Sequence, residues 1–294
     1  MLRAATSAFD RIDALWEGTP MRKAVAAALA VAYVGALLAV EASQRGWLPS
    51  LVRIRPTHGH FVAVELALYL LLSYEVVGLV LGIAQSVSKA AGKQFEIFSL
   101  ILLRHSFEEF GNLGEPILWA QAQGPVLRML SNAFGALVIF VVLGFYYGAR
   151  GRRPAGDPHA RQGFIDAKKV VALFLLVLFA GLAVRAAFTE RGAFFEHFYT
   201  VLVLADVLFV FLSLRYSSAY HIVFRNSGLA VATVVLRVAL SAPPYYNAAL
   251  GIASAVFALA LTLAQNRLAP VLERKKGGGG AQEAGAGAPP HGFA

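Results

Sequence analysis

The chain lacks cysteine altogether, and its charged residues are few. With no cysteine among its 294 residues, it can form neither a disulfide nor a thiolate-bound metal site. Asp, Glu, Lys and Arg make up only 15% of the chain, against about 25% in a typical soluble domain. It also contains no Gly-rich phosphate loop and no nucleophile-elbow motif. We therefore expect no enzymatic activity and no cofactor.

What the chain has in abundance is apolar sequence. Hydrophobic residues make up 58% of it, and its mean hydropathy is +0.63. A membrane span takes about 20 mostly apolar residues, and six runs meet this requirement. They cover 22–41, 61–84, 125–148, 169–187, 198–215 and 245–266. A weaker run covers 226–241, and the weakest covers 93–110. We therefore predict an all-α fold, a polytopic membrane bundle of about eight transmembrane helices.

The positions of the basic residues predict the orientation. The formal net charge is +9. Because Lys and Arg collect in the cytoplasmic loops of membrane proteins, this charge does not indicate nucleic-acid binding. The loop 149–169 and the segment after residue 266 are both rich in Lys and Arg. We expect both of them, and both chain termini, on the cytoplasmic side of a bacterial-type inner membrane.

The run 93–110 decides how many helices the first half contains. If it spans, four helices separate the basic pair Arg22-Lys23 from the basic loop 149–169, and Glu108 and Glu109 fall outside. The alternative is a re-entrant segment with an outside N-terminus. The two possibilities differ by one crossing.

An internal repeat favours the spanning alternative. Residues 22–150 align with 168–267 so that Arg104 falls on Arg237, and a His-Phe dipeptide precedes the second helix of each half. Each half then contains four helices. Because four is even, the two repeats run parallel, related by a pseudo-twofold axis along the membrane normal.

The predicted organisation has five parts. They are an interfacial amphipathic helix at 1–20, a four-helix unit at 21–150, a basic cytoplasmic linker at 151–168, a second four-helix unit at 169–268 and a disordered tail at 269–294. The first helix is predicted from apolar residues at helical spacing among charged ones. The tail is predicted from its Gly-rich, low-complexity composition.

Four charged residues inside the predicted helices form the candidate site. They are Glu65, Arg104, Asp206 and Arg237. Each unit carries an acid on its second helix and an arginine on its third. An unpaired charge at the bilayer centre costs about 2.5–3.5 kcal/mol, and a guanidinium can bind a carboxylate through two hydrogen bonds. We therefore predict that Glu65 pairs with Arg104, and Asp206 with Arg237.

Three further polar residues on these helices are secondary candidates. Tyr69 occupies the position in the first unit that matches Asp206 in the second. Glu75 and Glu96 lie nearer the cytoplasmic side, within reach of the lysines in the short turn between the second and third helices. An intramembrane ionisable residue is a functional candidate by default.

Histidines and acids cluster in the outer loops. The set comprises His58, His60, His105, Glu108 and Glu109. Spacings such as His-x-His and His-x-x-Glu occur in zinc sites. Solvated surface residues explain the same pattern more simply, and we predict no metal.

The end of the second unit resembles a known family. Residues 198–267 contain an Arg before an apolar helix, Arg237 within that helix, a Pro-containing turn, and a last helix ending in Thr262, Leu263 and Arg267. In these features the segment resembles the phosphate-starvation-inducible PsiE-like membrane proteins. The resemblance implies a four-helix inner-membrane unit whose biochemical activity is unassigned. The apparent doubling of the unit departs from the family's single copy.

Two functions remain open at this point. Buried carboxylates between two repeats favour a small transporter or channel for an inorganic ion or small solute. The alternative is a non-transporting structural, assembly or stress-response protein whose ion pairs hold the bundle together. A polar cavity that reaches the bilayer midplane between the units would favour transport. A dry, closely packed interface between the units would favour the alternative. The lipid bilayer is the one partner that the composition demands, and the oligomeric state is not predicted.

Overall fold

In the part of the chain that the structure describes, every regular element is a helix. The computed structural model describes residues 2–47, 60–113, 117–150, 158–188, 193–216 and 220–285. The α-helices are α1 (Leu2–Glu17), α2 (Thr19–Gln44), α3 (Phe61–Ile83), α4 (Val87–Glu108), α5 (Trp119–Ala149), α6 (Pro158–Phe188), α7 (Ala193–Tyr216), α8 (Tyr220–Ser241) and α9 (Tyr246–Gly285). A short 3-10 helix, Glu109–Asn112, follows α4 directly. The predicted all-α class is confirmed.

Seven of the described helices are long and apolar enough to cross a bilayer. They are α2, α3 and α5 to α9, and they make the chain an integral membrane protein. The helix α4 is not among them, because it contains Lys89, Lys93, Glu96 and Arg104. It is nevertheless an unbroken helix of 22 residues, about 33 Å long. A re-entrant segment would turn back inside the membrane, and α4 contains no such turn.

Two helix boundaries differ from the prediction. The helix α6 begins at Pro158, inside the predicted linker 151–168, because proline is well tolerated in the first turn of a helix. The helix α9 continues to Gly285, into the predicted disordered tail 269–294. Extending an existing helix requires no new nucleus, which favours continuation beyond the apolar part. The remaining predicted tail, from 286 on, lies outside the described residues.

The amphipathic helix α1 packs its apolar face on protein. Its Phe9 is buried, and the Trp16 ring stacks on Tyr74 of α3 with ring centroids 4.6 Å apart. An ion pair joins it to α6, where Lys169 Nζ lies 2.8 Å from Asp10 Oδ1. The predicted helix is therefore present, and it is docked on α3 and α6.

Two groups of four consecutive helices have the same pattern of neighbours. Within α2–α5 and within α6–α9, each helix packs on the next one along the chain. The groups meet where α4 packs on α8, α5 packs on α9 and α3 packs on α6. Buried side chains from both groups form one continuous core.

Glycines allow a close approach between α5 and α9. A Cβ atom at Gly135 would lie 2.7 Å from the Cβ of Ala248. A Cβ atom at Gly251 would collide with the ring of Phe98 on α4. Small residues at helix interfaces let the backbones approach closely inside a membrane, so both positions require glycine for packing.

Candidate functional site

A buried ion pair joins α7 to α8. Arg237 is 0% exposed and Asp206 is 4% exposed, and Arg237 Nε lies 3.5 Å from Asp206 Oδ2. By helical rise, Asp206 lies about 15 Å from the end of α7 at Tyr216. That distance is half the thickness of a bilayer core of about 30 Å. The structure thus brings these two residues together as predicted.

The Arg237 guanidinium has more hydrogen-bonding capacity than its surroundings use. None of its three nitrogen atoms has a hydrogen-bond partner, and neither does Asp206 Oδ2. The contact between the two side chains is therefore an electrostatic one. A buried polar group without hydrogen bonds is costly, and it commonly marks a place for water or an ion.

A small cavity lies beside Asp206, between the two groups of helices. Its volume is about 30 Å³, and a single water molecule needs about 10–15 Å³. The helices α4, α6, α7 and α8 all line it. Its polar lining residues are Gln94, Lys168, Asp206, Ser213, Asn226 and Thr233. It extends inward to Asp206 from the end of the bundle where the α3–α4 turn meets the start of α6. We call that end the basic end, because Lys168 and Lys169 lie there.

Lys168 is a second buried cation at this cavity. Its side chain is 3% exposed, and Nζ donates a hydrogen bond to the backbone carbonyl of Gln85, 2.9 Å away. The ammonium also lies 5.2 Å from the centroid of the Phe209 ring and 5.5 Å from that of Phe164. A carbonyl and two aromatic faces therefore hold this charge, and they tie α6 to the α3–α4 turn.

Sequence reasoning did not single out Lys168. It precedes Lys169 at the start of an apolar run, which is the usual position of a basic anchor at the membrane surface. Lys169 instead pairs with Asp10 of α1. The available signal was a polar residue on the inner face of α6, and it becomes visible only once the packing of α6 is known.

On the side of Asp206 away from the basic end, the inner face of α7 is mostly apolar, although the buried Tyr199 also lies there. Leu202 and Phe198 precede Asp206 by one and two helical turns, on the same helix face. Both are fully buried, as is Leu236 beside Arg237. In this conformation the polar cavity therefore ends at Asp206, and packed apolar side chains fill the core beyond it.

Arg104 pairs with Glu75 and not with Glu65, so the predicted partner is wrong. The Arg104 guanidinium contacts the Glu75 carboxylate directly, whereas Glu65 is exposed. Measured from Gln85 in the α3–α4 turn, Arg104 lies about 28 Å along its helix and Glu75 about 15 Å along its own. Side chains lean toward the N-terminus of their helix. In this antiparallel hairpin Arg104 and Glu75 therefore lean toward each other, which bridges the difference in depth.

The two arginines occupy equivalent positions, but the two sites are not equivalent. Arg104 and Arg237 each lie about 26 Å from the first residue of their helix. Each reaches an acid on the preceding helix. The basic pair that opens the first group, Arg22-Lys23, is exposed, whereas Lys168 in the second group is buried. The buried second cation thus belongs to the second group.

Known proteins offer no guide to this site. No protein-family model, no curated protein and no solved structure matches the chain. The resemblance of residues 198–267 to PsiE-like proteins stays a prediction. The site is therefore interpreted from its own chemistry.

The secondary candidates lie apart from the cavity. Glu96 accepts a hydrogen bond from the Tyr147 hydroxyl at 2.7 Å and pairs with Lys93 at 3.2 Å. The predicted lysine contact of Glu96 is thus present. Tyr69 is half-buried on α3 and does not line the cavity.

The predicted histidine and acid cluster is dispersed in the structure. His60 Nε2 lies 3.2 Å from Glu41 Oε2, and His105 Nε2 lies 3.8 Å from Glu108 Oε2. Among the residues that the structure describes, no three His, Cys, Asp or Glu side chains gather as metal ligands would. His58 lies outside the described residues.

Glu109 belongs to a separate polar cluster at the end of α4. Its Oε2 accepts hydrogen bonds from Arg128 Nε at 2.8 Å and from Asn112 Nδ2 at 3.0 Å. Such a pair of charge-assisted bonds ties the 3-10 helix to α5. We interpret this cluster as structural.

Proposed function

We propose that this integral membrane protein carries an ion or small solute across the bilayer at the contact between α2–α5 and α6–α9. The observation that carries the proposal is the cavity beside Asp206. It lies between the two groups, its lining includes six polar side chains among apolar ones, and it reaches a carboxylate halfway along α7. Transporters built from repeats bind their substrates at the repeat interface near the bilayer midplane. Asp206 is the group that we expect to bind the transported species.

The pattern of helix contacts supports two parallel copies of one four-helix unit. The third helix of one group packs on the third helix of the other, α4 on α8, and the fourth on the fourth, α5 on α9. Contacts of like with like are what a twofold axis produces. By equivalence with α8, we propose that α4 spans the membrane and that the chain has eight spans.

The size of the cavity restricts the substrate in this conformation. Its volume of about 30 Å³ suits one water-sized species. Pockets for organic ligands are typically about 300–1,000 Å³. We therefore favour an inorganic ion or a proton over an organic solute.

The second candidate function is the non-transporting one, in which the buried pairs only fix helix register. The close approach of α9 to α5 at Gly135 and to α4 at Gly251 favours it, because tightly packed helices resist relative movement. The two functions differ in what happens to Asp206. Transport requires its carboxylate to lose and regain the contact with Arg237, whereas a structural pair stays closed.

The test is flux through purified protein in liposomes, with dyes for pH, potassium and chloride. We expect Asp206→Asn to reduce the flux by about tenfold or more, equivalent to at least about 1.4 kcal/mol in the barrier. Asp166→Asn is the matched control, because Asp166 lies on α6 and accepts a hydrogen bond from Gln162 of the same helix. A wild-type protein without flux, or an unchanged flux in folded Asp206→Asn, would favour the structural function.

A further inference from the structure

The cavity beside Asp206 is rich in hydrogen-bond acceptors. Asp206 Oδ2, Gln94 Oε1 and Asn226 Oδ1 are buried without a hydrogen-bond partner. The hydroxyls of Ser213 and Thr233 donate to backbone carbonyls of their own helices, so they too offer lone pairs to the cavity. The species that satisfies this lining must therefore donate hydrogen bonds or carry positive charge.

The charges around the cavity exclude a metal cation. The charged groups that face Asp206 are Arg237 on α8 and Lys168 on α6, while α4 presents the neutral Gln94. Tyr199 of α7 lies on the side of Arg237. Two fixed cations against one carboxylate repel a third cation in a medium of low dielectric constant.

Water fits both requirements, because it donates hydrogen bonds and carries no charge. A buried water needs two to four polar partners and about one probe sphere of space. The cavity offers Asp206, Gln94 and Asn226 as partners and about 30 Å³ of room. A water held there connects Asp206 to the basic end of the bundle through the cavity that Lys168 also lines.

We propose, resting on the proposed function, that the transported species is the proton and that cavity water delivers it to Asp206. The cavity water donates one proton to the Asp206 carboxylate and accepts one from water at the basic end, so the cavity water stays neutral and the carboxylate becomes a neutral carboxylic acid. The reverse transfer releases the proton. Gln94 and Asn226 are positioning residues that hold the water. Lys168 excludes metal cations by its charge, whereas a proton passes along hydrogen bonds without an ion entering.

The first experiment measures proton flux in variants that dry the cavity. Gln94→Leu and Asn226→Leu remove an acceptor from α4 and from α8 while leaving Asp206, Lys168 and Arg237 in place. Asn132→Leu is the matched control, because Asn132 is a buried amide of α5 with an unpartnered oxygen that does not line the cavity. We expect about a tenfold loss of proton flux in either cavity variant and an unchanged flux in the control. Unchanged proton flux in a folded cavity variant would overturn the role of the water.

The second experiment measures selectivity. Wild-type liposomes are assayed for proton, sodium, potassium and chloride flux, which needs no variant to fold. Proton flux alone supports the inference. Flux of a metal ion or chloride without protons overturns it and leaves the proposed function standing, whereas no flux of any ion overturns the proposed function itself. Lys168→Met should admit potassium and Lys168→Arg should not, and equal selectivity in both would overturn the role of Lys168.

Discussion

Arg104 and Arg237 each reach from the second helix of a hairpin back to an acid on the first. The length of the arginine side chain makes this possible, because each acid lies at a different depth from the α-carbon of its partner. An uncompensated charge there would cost about 2.5–3.5 kcal/mol. The pairs therefore make it possible for charged helices to lie inside the bundle.

The Glu75 pair gives a prediction that separates two carboxylates on one helix. We expect Glu75→Gln to lower the free energy of unfolding by about 1–3 kcal/mol. Breaking a fully buried pair costs about 3–5 kcal/mol, and Arg104 retains 26% exposure, which reduces the cost. Because Glu65 is exposed, Glu65→Gln should change the free energy of unfolding by less than about 0.5 kcal/mol. Thermal unfolding in detergent measures both, and a larger loss in Glu65→Gln would contradict the observed pairing.

Asp206 and Arg237 could be predicted from the sequence because each is a lone charge in a long apolar run. The pairing of Glu75 was harder to predict, since its contact depends on the direction in which side chains lean and not on depth alone. The burial of Lys168 was the hardest to predict, because it depends on how α6 packs against the α3–α4 turn. The cavity itself, lined by side chains from both groups of helices, left no local sequence pattern to find.

At the scale of single elements, α9 depends on glycine where it meets α4. Gly251→Ala should destabilise the protein by about 1–3 kcal/mol, the usual cost of overpacking, because the added methyl group collides with Phe98. Gly144→Ala on α5 is the control, since a Cβ there meets no atom within 4 Å. Melting temperatures in detergent compare the two variants. Equal melting temperatures in the two variants would show that Phe98 can move away from the added methyl group without destabilising the protein.

The elements themselves followed from the sequence wherever apolar runs were long. The weakest run, 93–110, shows where that reasoning stopped. Its charges lower the hydropathy of α4 below that of a span, but α3, α5, α8 and α9 surround the helix. Its polar residues Gln94, Ser99 and Ser106 are buried in the bundle. Composition alone cannot distinguish such a surrounded helix from a segment outside the membrane.

At the scale of the whole molecule, the eight spans proposed above would place the start of α2 and the end of α9 on the same side of the membrane. The absence of native cysteine allows single cysteines to be labelled without background. Ala8→Cys and Leu268→Cys should react with an impermeant thiol reagent from the same side, and Ser241→Cys, at the end of α8, from the opposite side. Labelling of Ala8→Cys and Leu268→Cys from opposite sides would mean that α4 does not span.

The stacking of Trp16 on Tyr74 also allows the position of α1 to be followed by tryptophan fluorescence. Of the three tryptophans, Trp47 and Trp119 are 75% and 68% exposed, whereas Trp16 is stacked beside Gly78 of α3. With Trp47 and Trp119 replaced by phenylalanine, all remaining indole fluorescence comes from the docked helix. The emission wavelength and the quenching by brominated lipids then report, in real time and without a label, whether α1 stays docked on α3 during a flux measurement.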